Sequence, residues 1–217
     1  MTKVQKVKID KLVLPLTKPF ITNIRSSTSL NSLIYRIELD DGSCGYGESA
    51  ENPKLTGESL EEMISFSKDV AENILGLDSQ YALAMLVGLQ SYHAAKYGIE
   101  TALVDALSQS RNESICQYLG LGKVKTTLQN DTTISIMDDA NTINATVSTI
   151  NKGYTHIKYK VKSGMSELNR ILNLEKLLGS NVSIRIDPNQ AWSRQETIAN
   201  IEALQNSGIK VEFIEQP

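Results

Sequence analysis

Apolar and polar residues alternate over the first fifty positions of the chain, which predicts strands rather than helices. Val4, Val7, Ile9, Leu12 and Leu14 mark one stretch, broken at Pro15. Leu33-Ile34-Tyr35-Arg36-Ile37-Glu38-Leu39 is a second run of strand formers, and Asp40-Asp41-Gly42 is a hairpin signal leading into Cys44-Gly45-Tyr46-Gly47-Glu48. These segments predict a small antiparallel sheet. Between the first two, Lys18 to Ser32 is polar, rich in Ser and Thr, and too long for a tight turn. It reads as a loop, with a functional role and a plain surface role both open.

From Gly57 the period becomes helical. Leu60, Ile64, Val70, Ile74 and Leu75 fall on one face of a helix predicted over Glu58 to Leu75, with Gly76 closing it. Further helices are predicted over Ala82 to Leu89 and Ala94 to Leu107. Leu119-Gly120-Leu121-Gly122 breaks the pattern, and polar residues follow it, which places a domain boundary near residue 125.

Beyond that boundary, strand and helix patterns alternate. Thr132 to Ile136, Thr155 to Val161, Val182 to Asp187 and Val211 to Glu215 read as strands; Asn141 to Asn151, Ser166 to Leu178 and Arg194 to Ser207 read as helices. Successive βα units with right-handed crossovers predict a parallel sheet. The expected organisation is an α+β domain over residues 1–125, followed over 126–217 by an α/β domain.

Composition narrows the function classes. Lys and Arg number 22 against 25 Asp and Glu, for a formal net charge of −3, and no basic block could track a phosphate backbone. Nucleic acid is not an expected partner. No apolar run approaches the roughly 20 residues that span a bilayer, so no membrane association is expected. The N-terminus lacks the apolar core of a secretory signal, and the expectation is a cytoplasmic protein. Cys44 and Cys116 show no metal or redox spacing and read as reduced packing residues.

The chemistry concentrates on three strands. Alternation along Ile157-Lys158-Tyr159-Lys160-Val161-Lys162 lines up Lys158, Lys160 and Lys162 on one face, costly in a buried parallel strand unless the ammoniums have a purpose or the face is solvated. The next strand ends at Asp187, because Pro188 holds it extended and supplies no ladder donor. The strand after that ends in Glu215-Gln216-Pro217. Two hard oxygen ligands at one sheet edge, beside lysines, suggest a divalent cation such as Mg²⁺.

Lys-x-Lys, Asp-Pro-Asn-Gln and Glu-Gln-Pro on successive strands resemble the enolase superfamily in its muconate-lactonising branch, and more narrowly its dipeptide epimerases. Pro19-Phe20, Arg25, Gly45-Tyr46-Gly47-Glu48 and Thr56-Gly57-Glu58-Ser59 resemble the capping domain found there, and Asp131 to Ile136 its first barrel strand. The resemblance implies an α+β capping domain followed by part of a (β/α)8 TIM-type barrel, with Mg²⁺ at the strand ends. A substrate carboxylate binds the metal, a lysine removes the neighbouring proton, and the metal stabilises the enediolate. Carried over, Lys160 is the base, Lys158 its neighbouring ammonium, and Asp187 and Glu215 are metal ligands. Arg25, Thr133 and Asn189 are carried over as substrate-binding residues. A lysine beside a second ammonium and a dication is expected to have a depressed pKa. A register using Lys160 and Lys162 is an open alternative.

The expected substrate is a small carboxylate, most simply a dipeptide such as L-Ala-D/L-Glu. Residues 126–217 are few against about 250 for a closed barrel, and in the resembled family a third metal ligand and an opposing lysine come from strands further on. Two-base epimerisation is therefore not expected of this polypeptide alone, and open sheet edges favour a homo-oligomer. A catalytically incomplete remnant, and a cycloisomerase or o-succinylbenzoate synthase relative, stand as alternatives. An unrelated α/β module has no Gly-rich phosphate loop in its favour.

Overall fold

The computed structural model describes residues 1–22, 26–122 and 127–217. Arg25 and the boundary expected near residue 125 lie outside the described residues. The chain divides into two compact units, one of Met1–Thr17 with Ser29–Thr126 and one of Lys18–Thr28 with Thr127–Pro217.

β1 (Val4–Ile21), β2 (Ser26–Leu39) and β3 (Cys44–Ala50) lie side by side in that order. β2 and β3 are antiparallel, from Ser32 opposite Ala50 to Glu38 opposite Cys44. The segment read as a loop from Lys18 to Ser32 is therefore largely strand. β1 runs through Pro15 and Pro19 because it is the edge of this sheet, where a missing backbone donor is tolerated.

Leu33, Tyr35, Ile37 and Leu39 alternate inward from β2 and are fully buried in the core of the first unit. The helices here are α1 (Pro53–Thr56), α2 (Leu60–Ile74), α3 (Ser79–Gly88), α4 (His93–Ser110) and α5 (Ile115–Tyr118). α4 lies directly on β3, and glycine makes the approach possible. A Cβ on Gly45 would run into the Ala102 carbonyl oxygen, and one on Gly47 into that of Gly98.

Glu58 is not the first residue of a helix, as its sequence context predicts. Ser59 takes the N-cap of α2 in a capping box with Glu62, while the buried Glu58 carboxylate turns to α4 and accepts from the N–H groups of Ala94 (2.9 Å) and Ala95 (3.2 Å). α4 has no side-chain cap of its own, since Tyr92 sits at its N-cap in a left-handed conformation. Glu58 thus supplies both the missing acceptor and the negative charge that a helix N-terminus favours. Glu58→Ala should destabilise the first unit by about 2 kcal/mol, read as a lower midpoint in thermal unfolding; an unchanged midpoint would deny the cap its role.

In the second unit β4 (Thr132–Ile134), β5 (His156–Lys160), β6 (Ser183–Asp187) and β7 (Lys210–Ile214) form a parallel sheet in that order. The connecting helices are α6 (Asp139–Asn151), α7 (Met165–Leu172), α8 (Glu175–Leu178) and α9 (Arg194–Gln205). The single helix expected over Ser166 to Leu178 is two. Ile171, Leu174 and Leu178 are all buried, and the chain turns between them at Asn173, a weak helix former. Ile157, Tyr159, Ile184 and Ile186 are buried to within 1% in the apolar core, and alternation leaves Lys158, Lys160, Arg185 and Asp187 for the other face. Among the described residues no helix is long and apolar enough to cross a membrane.

Tyr159 carries a polar group on the apolar side of β5. Its hydroxyl donates to Thr146 Oγ1 (2.8 Å), which donates onward to the Thr142 carbonyl (2.8 Å). Burial, only partly countered by the Thr146 contact, pushes its pKa up to about 12. The unfolded phenol titrates near 10, so the neutral form is the one folding prefers. Its stabilisation is complete below pH 10 and lost as pH rises through 12, by about 2–3 kcal/mol. Urea unfolding from pH 9 to 12 should show a steeper loss in wild type than in Tyr159→Phe; identical slopes would contradict this.

Candidate active site

Lys158 and Lys160 stand two residues apart on β5, so the pleat sends both to the same side. Register then sets what they meet: Lys158 lies opposite Thr133 of β4 and Arg185 of β6, and Lys160 opposite Asp187. Lys160 Nζ donates to Asp187 Oδ2 at 2.5 Å, and Lys158 Nζ lies 3.0 Å from the same oxygen. Lys158 Nζ also donates to Glu215 Oε2 at 2.6 Å. One ammonium thus joins Asp187, at the end of β6, to Glu215, one residue past the end of β7.

Asp187 is fully buried. Its second oxygen, Oδ1, accepts from the Asn189 backbone N–H (2.9 Å). Burial opposes the charge of Asp187, but the hydrogen bonds from Lys160, Lys158 and Asn189 outweigh it and hold the carboxyl below its usual range. Lys158 is held in its charged form. Burial lowers its pKa, yet hydrogen bonds to Glu215 and Asp187 more than offset this, and the ammonium sits above the ordinary lysine value.

The backbone past both strand ends turns through left-handed conformations at Asn189 (φ 48°), Gln190 (φ 65°) and Gln216 (φ 44°). The two turns are tied together where Gln190 N–H donates to the Gln216 carbonyl (2.8 Å). Asn189 Oδ1 is buried without a hydrogen-bond partner among the described residues. Backbone of this kind gathers at functional sites.

Lys162 is not part of the lysine face. β5 ends at Lys160, and the Lys162 side chain is exposed. Its backbone is pinned instead, with its N–H donating to Glu167 Oε2 (3.3 Å) and its carbonyl accepting from Trp192 Nε1 (3.0 Å). The geometry therefore pairs Lys158 with Lys160. Thr133 is exposed on β4.

A second polar group lies one step down the same strands, and local sequence pattern does not reveal it. Arg185 donates from Nε to Glu212 Oε2 (2.8 Å) and from Nη1 to Asp131 Oδ2 (2.6 Å), while His156 Nε2 is 2.9 Å from Glu212 Oε1. The available signal was Arg185 itself, a guanidinium inside the apolar run from Val182 to Ile186. Among the described residues no group of three or more His, Cys, Asp or Glu is placed to hold a metal.

Each of the two units matches a known family model. Residues 5–120 match the mandelate racemase / muconate lactonizing enzyme N-terminal domain, and residues 142–217 match the enolase C-terminal domain-like family. The chain is 30% identical over 220 residues to an L-Ala-D/L-Glu epimerase of Clostridium acetobutylicum, covering 99% of this chain and 61% of the relative. It superposes on the substrate-liganded L-Ala-D/L-Glu epimerase from Bacillus subtilis with a TM-score of 0.92 at 29% identity, covering 99% of this chain and 61% of that one. The dipeptide epimerase from Enterococcus faecalis V583, complexed with Mg and L-Leu-L-Tyr, gives a TM-score of 0.90 at 25% identity over the same shares. The chain spans about three-fifths of the length of the curated relatives it matches.

Proposed function

Because the chain belongs to the mandelate racemase / muconate lactonizing enzyme family, we propose that the protein is a Mg²⁺-dependent epimerase of dipeptides of the L-Ala-D/L-Glu kind, with Lys160 moving the proton beside the substrate carboxylate. The observation that carries this reading is the shared cluster: Lys160 and Lys158 both meet Asp187, and Lys158 also meets Glu215.

The donor set fits a small dication. Asp187 and Glu215 already converge on one cationic nitrogen, and two carboxylates suit Mg²⁺, which commonly keeps water in its remaining positions. Those two residues would hold the metal. When bound, Mg²⁺ supplies electrostatic stabilisation of the charge that develops on the substrate carboxylate as the α-proton leaves.

The rest of the chemistry falls to side chains of this chain. Lys158, kept protonated, offers its ammonium to the anionic end of the substrate. Lys160, once its resting ammonium has given a proton to solvent, takes the α-proton on the face it occupies. Asp187 fixes both nitrogens by one oxygen, so the base and the binding cation move as a unit. Asn189 carries a buried acceptor beside this cluster and Thr133 an exposed hydroxyl opposite Lys158, so both belong with substrate binding in this reading, as does Arg25 by resemblance. A cytoplasmic location belongs to the same reading, in keeping with free Cys44 and Cys116.

Purified protein incubated with L-Ala-L-Glu and Mg²⁺ in D₂O should exchange the glutamate α-proton for deuterium, followed by NMR, and EDTA should stop it. The dipeptide persisting unchanged while another carboxylate substrate is turned over would move the protein to a different activity within the family.

A further inference from the structure

The side of the sheet on which Glu215 stands does not follow from alternation along its strand. Ile184 of β6 lies opposite Val211 of β7. Unbroken pairing from there would set Arg185 against Glu212, Ile186 against Phe213 and Asp187 against Ile214, and Glu215 would point to the apolar side. The observed register differs: Arg185 lies opposite Phe213 and Ile186 opposite Ile214, with the shift falling between Ile184 and Arg185. β7 therefore holds one extra residue, Glu212, at a β-bulge, and a one-residue shift exchanges the two faces of everything beyond it. The Glu215 N–H bonds to the Ile186 carbonyl (2.8 Å), and its carboxylate reaches Lys158 as a result.

Arg185 holds this bulge from the neighbouring strand. Its guanidinium takes the bulged Glu212 by Nε (2.8 Å), covers the ring of the next residue, Phe213, at 5.1 Å, and anchors to Asp131 ahead of β4 by Nη1 (2.6 Å). His156 of β5 takes the other Glu212 oxygen (2.9 Å). The extra residue is thus bound from β5 and β6 at once, with Arg185 itself anchored to Asp131. A strand without such a clamp gains a ladder bond by expelling the bulge, and in doing so loses Glu215 from the site.

We infer that Arg185 and Glu212 are positioning residues which, by pinning the β7 bulge, aim Glu215 at the cation site. This rests on the reading of Asp187 and Glu215 as Mg²⁺ ligands, and goes beyond it in naming what orients the second ligand. Neither residue touches substrate or metal in this account. Their removal acts on metal affinity through Glu215, as partners behind a ligand do, in the range of about 10- to 100-fold.

The test is calorimetric titration of Mg²⁺ alone into wild type and the variants Glu212→Gln, Arg185→Gln and Glu215→Gln, with thermal unfolding of each recorded without metal. Glu215→Gln sets the effect of losing the ligand. Glu212→Gln and Arg185→Gln are expected to weaken Mg²⁺ about 10- to 100-fold and to speed hydrogen exchange at the Glu215 amide, whereas Lys210→Ala, on an exposed residue at the start of β7, leaves both unchanged. Where Arg185→Gln does not fold, Asp131→Asn loosens one arm of the same guanidinium and carries the same expectation in smaller measure. Weakened binding in Glu215→Gln with wild-type binding in the folded clamp variants would overturn the inference and leave the metal reading standing. Wild-type binding in Glu215→Gln itself would overturn the metal reading, and the inference with it.

Discussion

Asp187→Asn is expected to lower turnover of a dipeptide by about 10²-fold or more and to destabilise the second unit in the same stroke. The substitution keeps the shape of the side chain and removes its charge. Asp187 is fully buried and receives both Lys160 and Lys158, whose side chains are only 10% and 16% exposed. Taking away the shared counter-charge leaves two neighbouring ammoniums facing each other, and breaking a buried pair from one side costs about 3–5 kcal/mol. Thermal unfolding without metal reads the second effect, and Mg²⁺-dependent turnover reads the first. An Asp187→Asn variant as stable as wild type would show that the ammoniums do not depend on this carboxylate.

The largest effect expected in the first unit comes from adding a single methyl group. Gly47→Ala places a Cβ against the Gly98 carbonyl and the backbone of Ala102, and neither obstacle is a side chain that can rotate away. β3 and α4 must separate, opening a core in which Tyr35, Ile99, Ala102 and Leu103 are all buried to within 1%. Overpacking of this kind costs about 3 kcal/mol, measured by urea unfolding. Gly88→Ala is the matching control. Among the described residues nothing lies within 4 Å of a Cβ at that position, so its effect should stay within about 1 kcal/mol. Equal stability of the two variants would contradict the close approach of α4 to β3.

The site was legible wherever it followed from alternation and strand ends. Lys158 and Lys160 share a face because they are two apart, and Asp187 ends its strand because Pro188 follows it. The limits of the lysine face were not legible, since nothing in Lys160-Val161-Lys162 shows that the strand stops at Lys160 and leaves Lys162 exposed. Glu215, read as the last residue of its strand, lies one residue past β7, and its side of the sheet depends on a bulge whose clamp spans Asp131, His156, Arg185 and Glu212, residues up to 81 positions apart in the chain. In the first unit, Glu58 reads as a helix residue by local pattern and serves instead as the cap of α4, more than thirty positions on. β1 was cut short at Pro15 because proline breaks a paired strand, and only the sheet order reveals that this one is an edge. Each departure traces to a contact between segments distant in sequence, which local periodicity does not carry.

Deuterium incorporation at the α-carbon of the glutamate in L-Ala-L-Glu, followed by NMR in D₂O with Mg²⁺, reads the base assignment at the atom concerned. Wild-type protein is expected to wash deuterium into that position, and Lys160→Ala to do so about 10²–10⁴-fold more slowly while still binding Mg²⁺ with wild-type affinity. Exchange by Lys160→Ala at the wild-type rate would contradict the account.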